Sequence, residues 1–531
     1  MKVMFIVNDL GVNEPFGPMM LSAILKEKNH ETTLGVLQKE DVEKKIFSWK
    51  PDILAYSMMS VDMDDMRSFN DSLRKKKNIF TILGGAHATL DRSSVNYPGI
   101  DAICVGEGDE AIVDVVENLR AEKGLEGIPN ILISGDSPLK LRPLIEDFEG
   151  LPFMDRELVY SYPEMARFGI KGIWTSRGCA FPCPYCFNNR YNELFRTKGR
   201  VVRRRAVDSI IREAKEMMSN YRVDFVRIQD DVFIYKADKW LKEFAEKWSR
   251  EIKIPFYCLL RAELVTDEMA FYLKKAGCFS ICMSIEAADD DVRIKMMRRK
   301  AGRKQLEDAF RIFKKYRINV YANTMLALPF TNLKHDIASL DFAIKVQPEM
   351  PNFSIFMPYP GTDLGDYCAE TGIYDPESDN IDYGMRNMSP LRCFSEKERK
   401  AQYNLCELAI VAVKFPAFRN FIVKHLIHWK PNKIFFLIHY LFAITAYGRK
   451  IFYFKHTLAE YLDLVIRTFK HYLYDFTRRK NAPSGAKGAW RLDEAPIDEE
   501  ERRTELNKCM DAMERGKICH CGVPALKANA L

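Results

Sequence analysis

Thr175-Ser-Arg-Gly-Cys-Ala-Phe-Pro-Cys-Pro-Tyr-Cys-Phe187 places three cysteines, Cys179, Cys183 and Cys186, in a C-x3-C-x2-C spacing. Three thiolates on one short loop suit an iron–sulfur cubane, since Cys thiolates are the usual ligands of such clusters. Three ligands for four irons leave one iron open to a substrate or cofactor. Two other readings stand beside this one. Structural zinc closes with four ligands, usually in paired spacings, and no fourth Cys or His adjoins this run. Buried cysteines also pack as small hydrophobes with no ligand at all.

Outward from that loop, apolar strand-like runs alternate with helical patterns over residues 160–385. Strands are predicted at Gly172–Thr175, Asp224–Gln229, Phe256–Leu260, Ser280–Ile285, Val320–Met325 and Asn352–Met357. Helices at Ser209–Ser219, Ala237–Glu251, Asp267–Ala276 and Gln305–Tyr316 separate them. Six repeats predict a partial (β/α)6 barrel, whose sites lie at the carboxyl ends of the strands. The polar residues there are Asp230 and Asp231, Arg261, and Ser284 with Glu286. An acid pair such as Asp230-Asp231 also suits the cap of a following helix.

Residues 1–135 show a second alternation. Val3–Val7, Ile53–Ser57, Phe80–Gly84 and Ala102–Val105 read as buried strands. Met20–Lys28, Val42–Trp49, Met63–Lys76 and Glu110–Leu119 read as helices. This predicts a doubly wound α/β sheet, which binds ligands at the carboxyl ends of its strands. The loops there are Ser57-Met-Met-Ser60, Leu83-Gly-Gly-Ala-His-Ala-Thr89 and Gly106-Glu-Gly-Asp-Glu110. Paired Gly84 and Gly85 let backbone approach a ligand, or simply make a tight turn. His87 in the same loop has the alternative of an ordinary hydrogen-bonded histidine.

The cysteine run, with aromatic Tyr185 before its last Cys, resembles the signature of the radical S-adenosylmethionine enzymes. The resemblance implies an open iron that chelates the amino and carboxylate groups of S-adenosylmethionine. One electron then releases a 5′-deoxyadenosyl radical, so the hard chemistry is the cofactor's. It further implies that Asp230 and Asp231 meet the amino group and that Ser284 and Glu286 lie near the ribose and methionine ends; Arg261, by its own chemistry, suits a bidentate bond to a carboxylate. Arg298 and Arg299 resemble the family's Met-x-Lys/Arg stretch, with a basic helix end as the alternative. Leu326-Ala-Leu-Pro-Phe-Thr331 stands where relatives show Gly-Leu-Pro-Gly-Glu-Thr, so that Gly and Glu are both missing. Met357-Pro-Tyr-Pro-Gly-Thr-Asp-Leu364 is similar to the family's Pro-Tyr-Pro-Gly-Thr element. The loops holding Ser57, Gly84, Gly85, His87, Gly106 and Glu107 resemble a cobalamin-binding domain fused ahead of the radical domain. One departure stands out. Asn8-Asp-Leu-Gly-Val-Asn-Glu-Pro-Phe-Gly17 lacks the His of Asp-x-His-x-x-Gly, so this loop offers cobalt no imidazole, as in a domain that has lost cobalamin.

A chain of 531 residues exceeds a single core, and 47% hydrophobic content is that of a globular protein. Thirteen cysteines without a paired pattern, and no export signal, point to the reducing cytoplasm. Residues 136–159 read as a linker, 386–480 as a helical region and 481–531 as linker and tail, with Cys509, Cys519 and Cys521 as weak metal candidates. Between Lys414 and Lys480, 13 Lys and Arg face three acids, with aromatics interleaved from Phe415 to Phe454. That composition suits a helical cap over the barrel mouth, or a helix at the inner face of a membrane; nucleic acid is the third reading. The longest apolar run, Ile434 to Tyr447, is 14 residues, short of the ~20 of a bilayer span, and predicts no transmembrane helix.

The leading expectation is a cobalamin-dependent radical S-adenosylmethionine methylase acting on an unactivated carbon. Its cofactors are a 4Fe–4S cluster, S-adenosylmethionine and cobalamin, and its reductant a flavodoxin or ferredoxin. The alternatives are radical coupling, cyclisation or oxidation of a lipid-like substrate with a vestigial cobalamin domain, and an iron–sulfur or cobalamin sensor. A tRNA methylthiolating enzyme needs a cysteine triplet in the amino-terminal domain, which Cys104 alone does not make.

Overall fold

The computed structural model describes residues 1–10, 14–376, 387–452, 462, 465–466 and 499–515. The chain divides into two compact units: residues 1–182, 186–223 and 360–362 in the first, and 183–185, 224–359 and 363–531 in the second.

The first unit holds β1 (Lys2–Val7), β2 (Glu31–Val36), β3 (Ile53–Ser57), β4 (Phe80–Gly84), β5 (Ala102–Cys104) and β6 (Ile131–Leu132) in one sheet of order β2-β1-β3-β4-β5-β6. Only β6 runs antiparallel to its neighbour. The helices wound around this sheet include α1 (Phe16–Glu27), α2 (Val42–Trp49), α3 (Met63–Arg74), the short α4 (Ala86–Leu90) and α5 (Ala111–Arg120). Alternation along β1 explains the double winding. Val3, Phe5 and Val7 join a core with Met19 and Ile24 of α1 and Val115 of α5. Met4 and Ile6 point the other way, into a core with Ile46 of α2 and Met66 of α3. Burial on both faces makes the strand an unbroken apolar run. The unpredicted β2 is an edge strand whose exposed Glu31 and half-buried Thr32 and Thr33 hide its strand character.

Later in this unit, β7 (Ile170–Ile173) and β8 (Ser176–Arg177) lead into the cysteine loop, and β8 pairs antiparallel with β9 (Arg203–Arg204). Strand β7 begins before the predicted Gly172 because Lys171 is buried, its ammonium donating to the Met165 and Ala166 carbonyls.

The second unit carries β10 (Phe225–Ile228), β11 (Phe256–Leu260), β12 (Cys278–Met283), β13 (Asn319–Leu326) and β14 (Met350–Ile355), each parallel to the next. Helices Lys239–Lys247, Asp267–Ala276, Arg303–Lys315 and Leu333–Val346 alternate with them. With β7, all six predicted barrel strands are present as strands. Asp267–Ala276 falls where predicted because its ends are well marked. Thr266 accepts the Met269 N–H at 3.1 Å, and Gly277 closes the helix at φ 97°.

The carboxyl-terminal region departs from expectation. The helix Lys433–Ala446 continues to Ile451, and this 19-residue stretch, of mean hydropathy 1.2, is long and apolar enough to cross a membrane by length and composition. The 14-residue run understated it, since Arg449 and Lys450 end the apolar run but not the helix. Its end does not cap the barrel mouth. Tyr447 lies 2.9 Å from the Tyr321 hydroxyl, Ser280 donates to the Ile451 carbonyl at 2.5 Å, and the Phe452 ring sits 5.0 Å from Tyr257. Those positions open strands β11, β12 and β13, opposite the ends that carry sites. Residues read as linker and tail include a helix, Glu499–Arg515, that buries Cys509. Its first turn holds three glutamates, which suit a helix amino terminus. Tyr453, Phe454, Cys519, Cys521 and the predicted linker up to residue 498 lie outside the described residues.

Candidate functional site

Gly178 turns the chain into the cysteine loop at φ 87°, and a Cβ there would lie 2.1 Å from the Val201 carbonyl oxygen, so only glycine fits. Cys179 and Cys183 are buried and Cys186 is half-buried, and no described cysteine is in a disulfide. Asn192 donates to the Cys179 carbonyl at 2.7 Å. Among the described residues, no three His, Cys, Asp or Glu side chains converge as one zinc ion requires. Three thiols on one short loop are the donor type a cubane takes, each ligand binding a separate iron.

In the second unit Cys183 and Tyr185 meet residues from the carboxyl ends of the strands. Arg261 donates to Cys183 Sγ at 3.0 Å, and its Nε and second amino group go to Glu263. Glu286 accepts from the Tyr185 hydroxyl at 2.9 Å and from Arg299 at 2.7 Å. Glu286 itself sits at φ 60°, in the left-handed region, bridged to Thr324 of β13. Such backbone persists only where its surroundings impose it; here the Glu286 N–H goes to the Asn323 carbonyl and its carbonyl accepts the Met325 N–H. Burial, with Glu286 beside it, pushes the Tyr185 hydroxyl well above the usual tyrosine range. Burial would raise the Glu263 carboxyl, but Arg261 and Arg299 hold it below its ordinary range.

Arg299 is therefore buried and paired, not part of a solvated helix end. Arg298 turns away at φ 49°, donating to Asp363 and to the Met513 carbonyl of the carboxyl-terminal helix. The acid pair splits: Asp230 is buried and Asp231 exposed. Ser284 is half-buried just past β12. Gln229 Nε2, Glu263 Oε2 and Thr324 Oγ1 are buried without a hydrogen-bond partner among the described residues. Orphaned polar atoms at the ends of β10, β11 and β13 are what a polar ligand such as S-adenosylmethionine would satisfy.

The loop after β13 shows what the missing glycine costs. Ala327 and Phe330 adopt φ 55° and 58°. Asp336 holds the loop by accepting the Ala327 N–H at 3.0 Å and an amide hydrogen of Gln402 at 2.9 Å. Burial pushes its carboxyl up from 3.8 to about 7. The folded protein then keeps a proton that the unfolded chain releases, so stability falls as pH rises from about 4 to about 7 and levels off above. Asp336→Asn should flatten that slope. Urea midpoints compared at about pH 5 and about pH 8 should show the variant gaining on wild type at the higher pH, and parallel profiles would refute the assignment.

In the first unit the parallel strands bring the predicted loops to one edge. Gly85 sits at φ 94°, where a Cβ would lie 3.0 Å from the Met58 carbonyl oxygen. Gly106 sits at φ 83°, where a Cβ would run into the Phe195 ring at 2.3 Å. Ser57 ends β3 half-buried, and Met59 beside it is 61% exposed. Asn8, after β1, donates to Asp62 at 2.9 Å. Packing within the first unit requires both Gly85 and Gly106, and the β1 loop offers no imidazole. His87 is buried, with its Nδ1 3.0 Å from Ser60 Oγ; its Nε2 has no hydrogen-bond partner among the described residues, the Asp91 carboxylate lying 3.6 Å away. Glu107 takes a bidentate bond from Arg203 at 2.7 and 2.9 Å.

Sequence reading missed the ion pairs that frame these loops. Arg177, two residues before Cys179, donates in bidentate fashion to Asp109 at 2.8 and 3.0 Å. Glu213 accepts from both Arg156 and Arg205, all three being buried, and these arginines also donate to the Gly172 and Trp174 carbonyls. Nothing in the spacing of these residues marks them as partners.

The fold is that of an α/β protein in which one mostly parallel sheet precedes a second run of parallel strands with a thiol loop near its start. Residues 174–343 match the radical SAM superfamily and residues 4–116 the B12 binding domain. The chain belongs to the radical S-adenosylmethionine superfamily and carries an amino-terminal B12 binding domain. It is 23% identical to an uncharacterized methyltransferase of Pyrococcus horikoshii, over 68% of this chain and 79% of that one. In fold it is similar to OxsB, a cobalamin-dependent S-adenosylmethionine radical enzyme solved with aqua-cobalamin and S-adenosylmethionine. That likeness has TM-score 0.63 and 14% identity, covering 97% of this chain and 84% of OxsB. It is also similar to the radical S-adenosylmethionine methyltransferase TsrM of Kitasatospora setae, solved with cobalamin and a 4Fe–4S cluster. There the TM-score is 0.61 and the identity 14%, covering 81% and 91% of the two chains.

Proposed function

We propose that this chain is a cobalamin-dependent radical S-adenosylmethionine methyltransferase acting on an unactivated carbon of an apolar or lipid-like small molecule. One observation carries the reading. A sheet of order 2-1-3-4-5 matching a B12 binding domain is followed by parallel strands whose first loop holds Cys179, Cys183 and Cys186. Those three thiolates hold the 4Fe–4S cluster. When bound, the cluster, S-adenosylmethionine and cobalamin supply the radical and the methyl group, chemistry that belongs to the cofactors.

The protein's own residues bind and orient. Arg261 donates to the Cys183 sulfur, and hydrogen bonds to ligand sulfurs are one control on cluster potential. Glu286, fixed by β13 and flanked by Tyr185 and Arg299, accepts from ribose hydroxyls, with Ser284 beside it. Buried Asp230 faces the ammonium group, where a charge-assisted bond is strong; Asp231 stays outside. Ser57, Gly84, Gly85 and Gly106 let backbone approach cobalamin, while His87 and Glu107 brace its loops. A flavodoxin or ferredoxin of the cytoplasm delivers the electron.

The test is anaerobic reconstitution with iron, sulfide and hydroxocobalamin, then reductant and S-adenosylmethionine. Bound cobalamin together with 5′-deoxyadenosine and S-adenosylhomocysteine is the expected result. Deoxyadenosine without bound cobalamin would reject methyl transfer in favour of radical coupling or cyclisation. Arg299→Ala strips Glu286 and Tyr185 of their buried cation. It should weaken S-adenosylmethionine binding at least about tenfold at unchanged iron content, read by equilibrium dialysis. Unaltered binding would remove Arg299 from the site.

A further inference from the structure

Monomeric soluble proteins rarely expose a contiguous apolar patch unless something covers it. From Lys414 to Phe452 the chain has seven Lys or Arg and no Asp or Glu. The same stretch leaves Phe418, Phe421, Trp429, Ile434, Leu437 and Leu441 between 43% and 66% exposed. The helix from Lys433 shows the pattern best. Phe435, His439, Ala443 and Ala446 form its buried stripe, while Ile434, Leu437 and Leu441 make a second apolar stripe facing out. A helix apolar on all sides belongs in a core or in lipid, and only 28% of this one is buried. Phe415 joins the preceding turn to the patch, its ring 6.4 Å from Phe418 and 5.8 Å from Phe442. Exposed Lys424, Lys430 and Lys433 lie at one end of the helix, Arg449 and Lys450 at the other.

We infer that this face docks on an anionic lipid bilayer, with the helix lying in the interface. Apolar side chains among cations are the composition of interfacial helices, and the exposed acid beside them, Asp341, is paired with Arg419 at 2.7 Å. The helix does not cross. Its far end is held within its own unit by Tyr321, Ser280 and Tyr257, through Tyr447, Ile451 and Phe452. Nucleic acid is the poorer match: beside the exposed rings of Phe418, Phe421 and Trp429, the outer stripe of the helix is aliphatic, and Ile434, Leu437 and Leu441 have no ring on which a base stacks. The inference is independent of methyl transfer.

The test floats the reconstituted holoenzyme with phosphatidylcholine vesicles, with and without phosphatidylglycerol. Wild type should rise only with the anionic vesicles and be released by salt. The triple variant Phe418→Ser, Leu437→Ser, Leu441→Ser should lose at least about tenfold in bound fraction at unchanged iron content. Any of four results overturns the inference: wild type remaining at the bottom, the triple variant floating like wild type, a wild-type dimer that the variant dissolves, or tRNA binding that the variant abolishes.

Discussion

Cys183→Ala should lose the iron–sulfur cluster and S-adenosylmethionine cleavage together, while cobalamin stays bound. Cys183 is one of the three proposed thiolate ligands, is buried, and is the one whose sulfur Arg261 contacts at 3.0 Å. Its removal leaves two thiolates for the cubane and one amino group of the Arg261 guanidinium without its sulfur acceptor. Both changes weaken the same corner of the site. The glycine loops after β4 and β5 belong to the first unit, so their cofactor is expected to remain. Iron and sulfide per chain, cobalamin absorbance and 5′-deoxyadenosine yield read the three effects separately. Cleavage surviving within about a hundredfold of wild type would reject the ligand assignment. Simultaneous loss of cobalamin would instead mean that the alanine disrupts the fold.

What the sequence shows depends on whether the cause is local. Ile53–Ser57, Phe80–Gly84 and Val42–Trp49 fall where predicted, because burial on both sheet faces, or an amphipathic helical stripe, is written in consecutive residues. The cap pair Thr266 and Gly277 is equally local. β2 and the start of β7 were hidden by polar residues whose tolerance is decided by neighbours: an exposed edge for Glu31, and two carbonyls for Lys171. The candidate site divides in the same way. Glu286 was legible as an acid at a strand end and Arg299 as part of a basic stretch, but neither as a partner of Tyr185. Glu107 reads as a cofactor contact from its place after a strand, and nothing in the sequence marks the cation that already engages it. Arg203, 96 residues from Glu107, supplies that missing fact. Asp109 and Arg177, 68 residues apart, escaped for the same reason.

Glu213 carries that lesson to stability. Glu213→Gln should destabilise the first unit by about 3–5 kcal/mol, the usual result of removing one partner from a buried ionic set. The carboxylate answers both Arg156 and Arg205, and all three side chains are almost fully buried. An amide can accept from one guanidinium but not neutralise two. The strain should travel to the cysteine loop. Arg156 holds the Gly172 carbonyl, Arg205 the Trp174 carbonyl, and the Arg205 N–H the Thr175 carbonyl at 2.9 Å. Amide exchange in Ile170–Thr175 should therefore quicken, and cluster occupancy fall, although Glu213 is no ligand. Replacing Arg156, Arg205 and Glu213 together by apolar residues of similar volume should restore much of the stability, because no buried charge is then left unpaired. Full exchange protection and cluster content in the single variant would mean that the arginines are solvated in solution, and that the strand leading to Cys179 is held by backbone pairing alone.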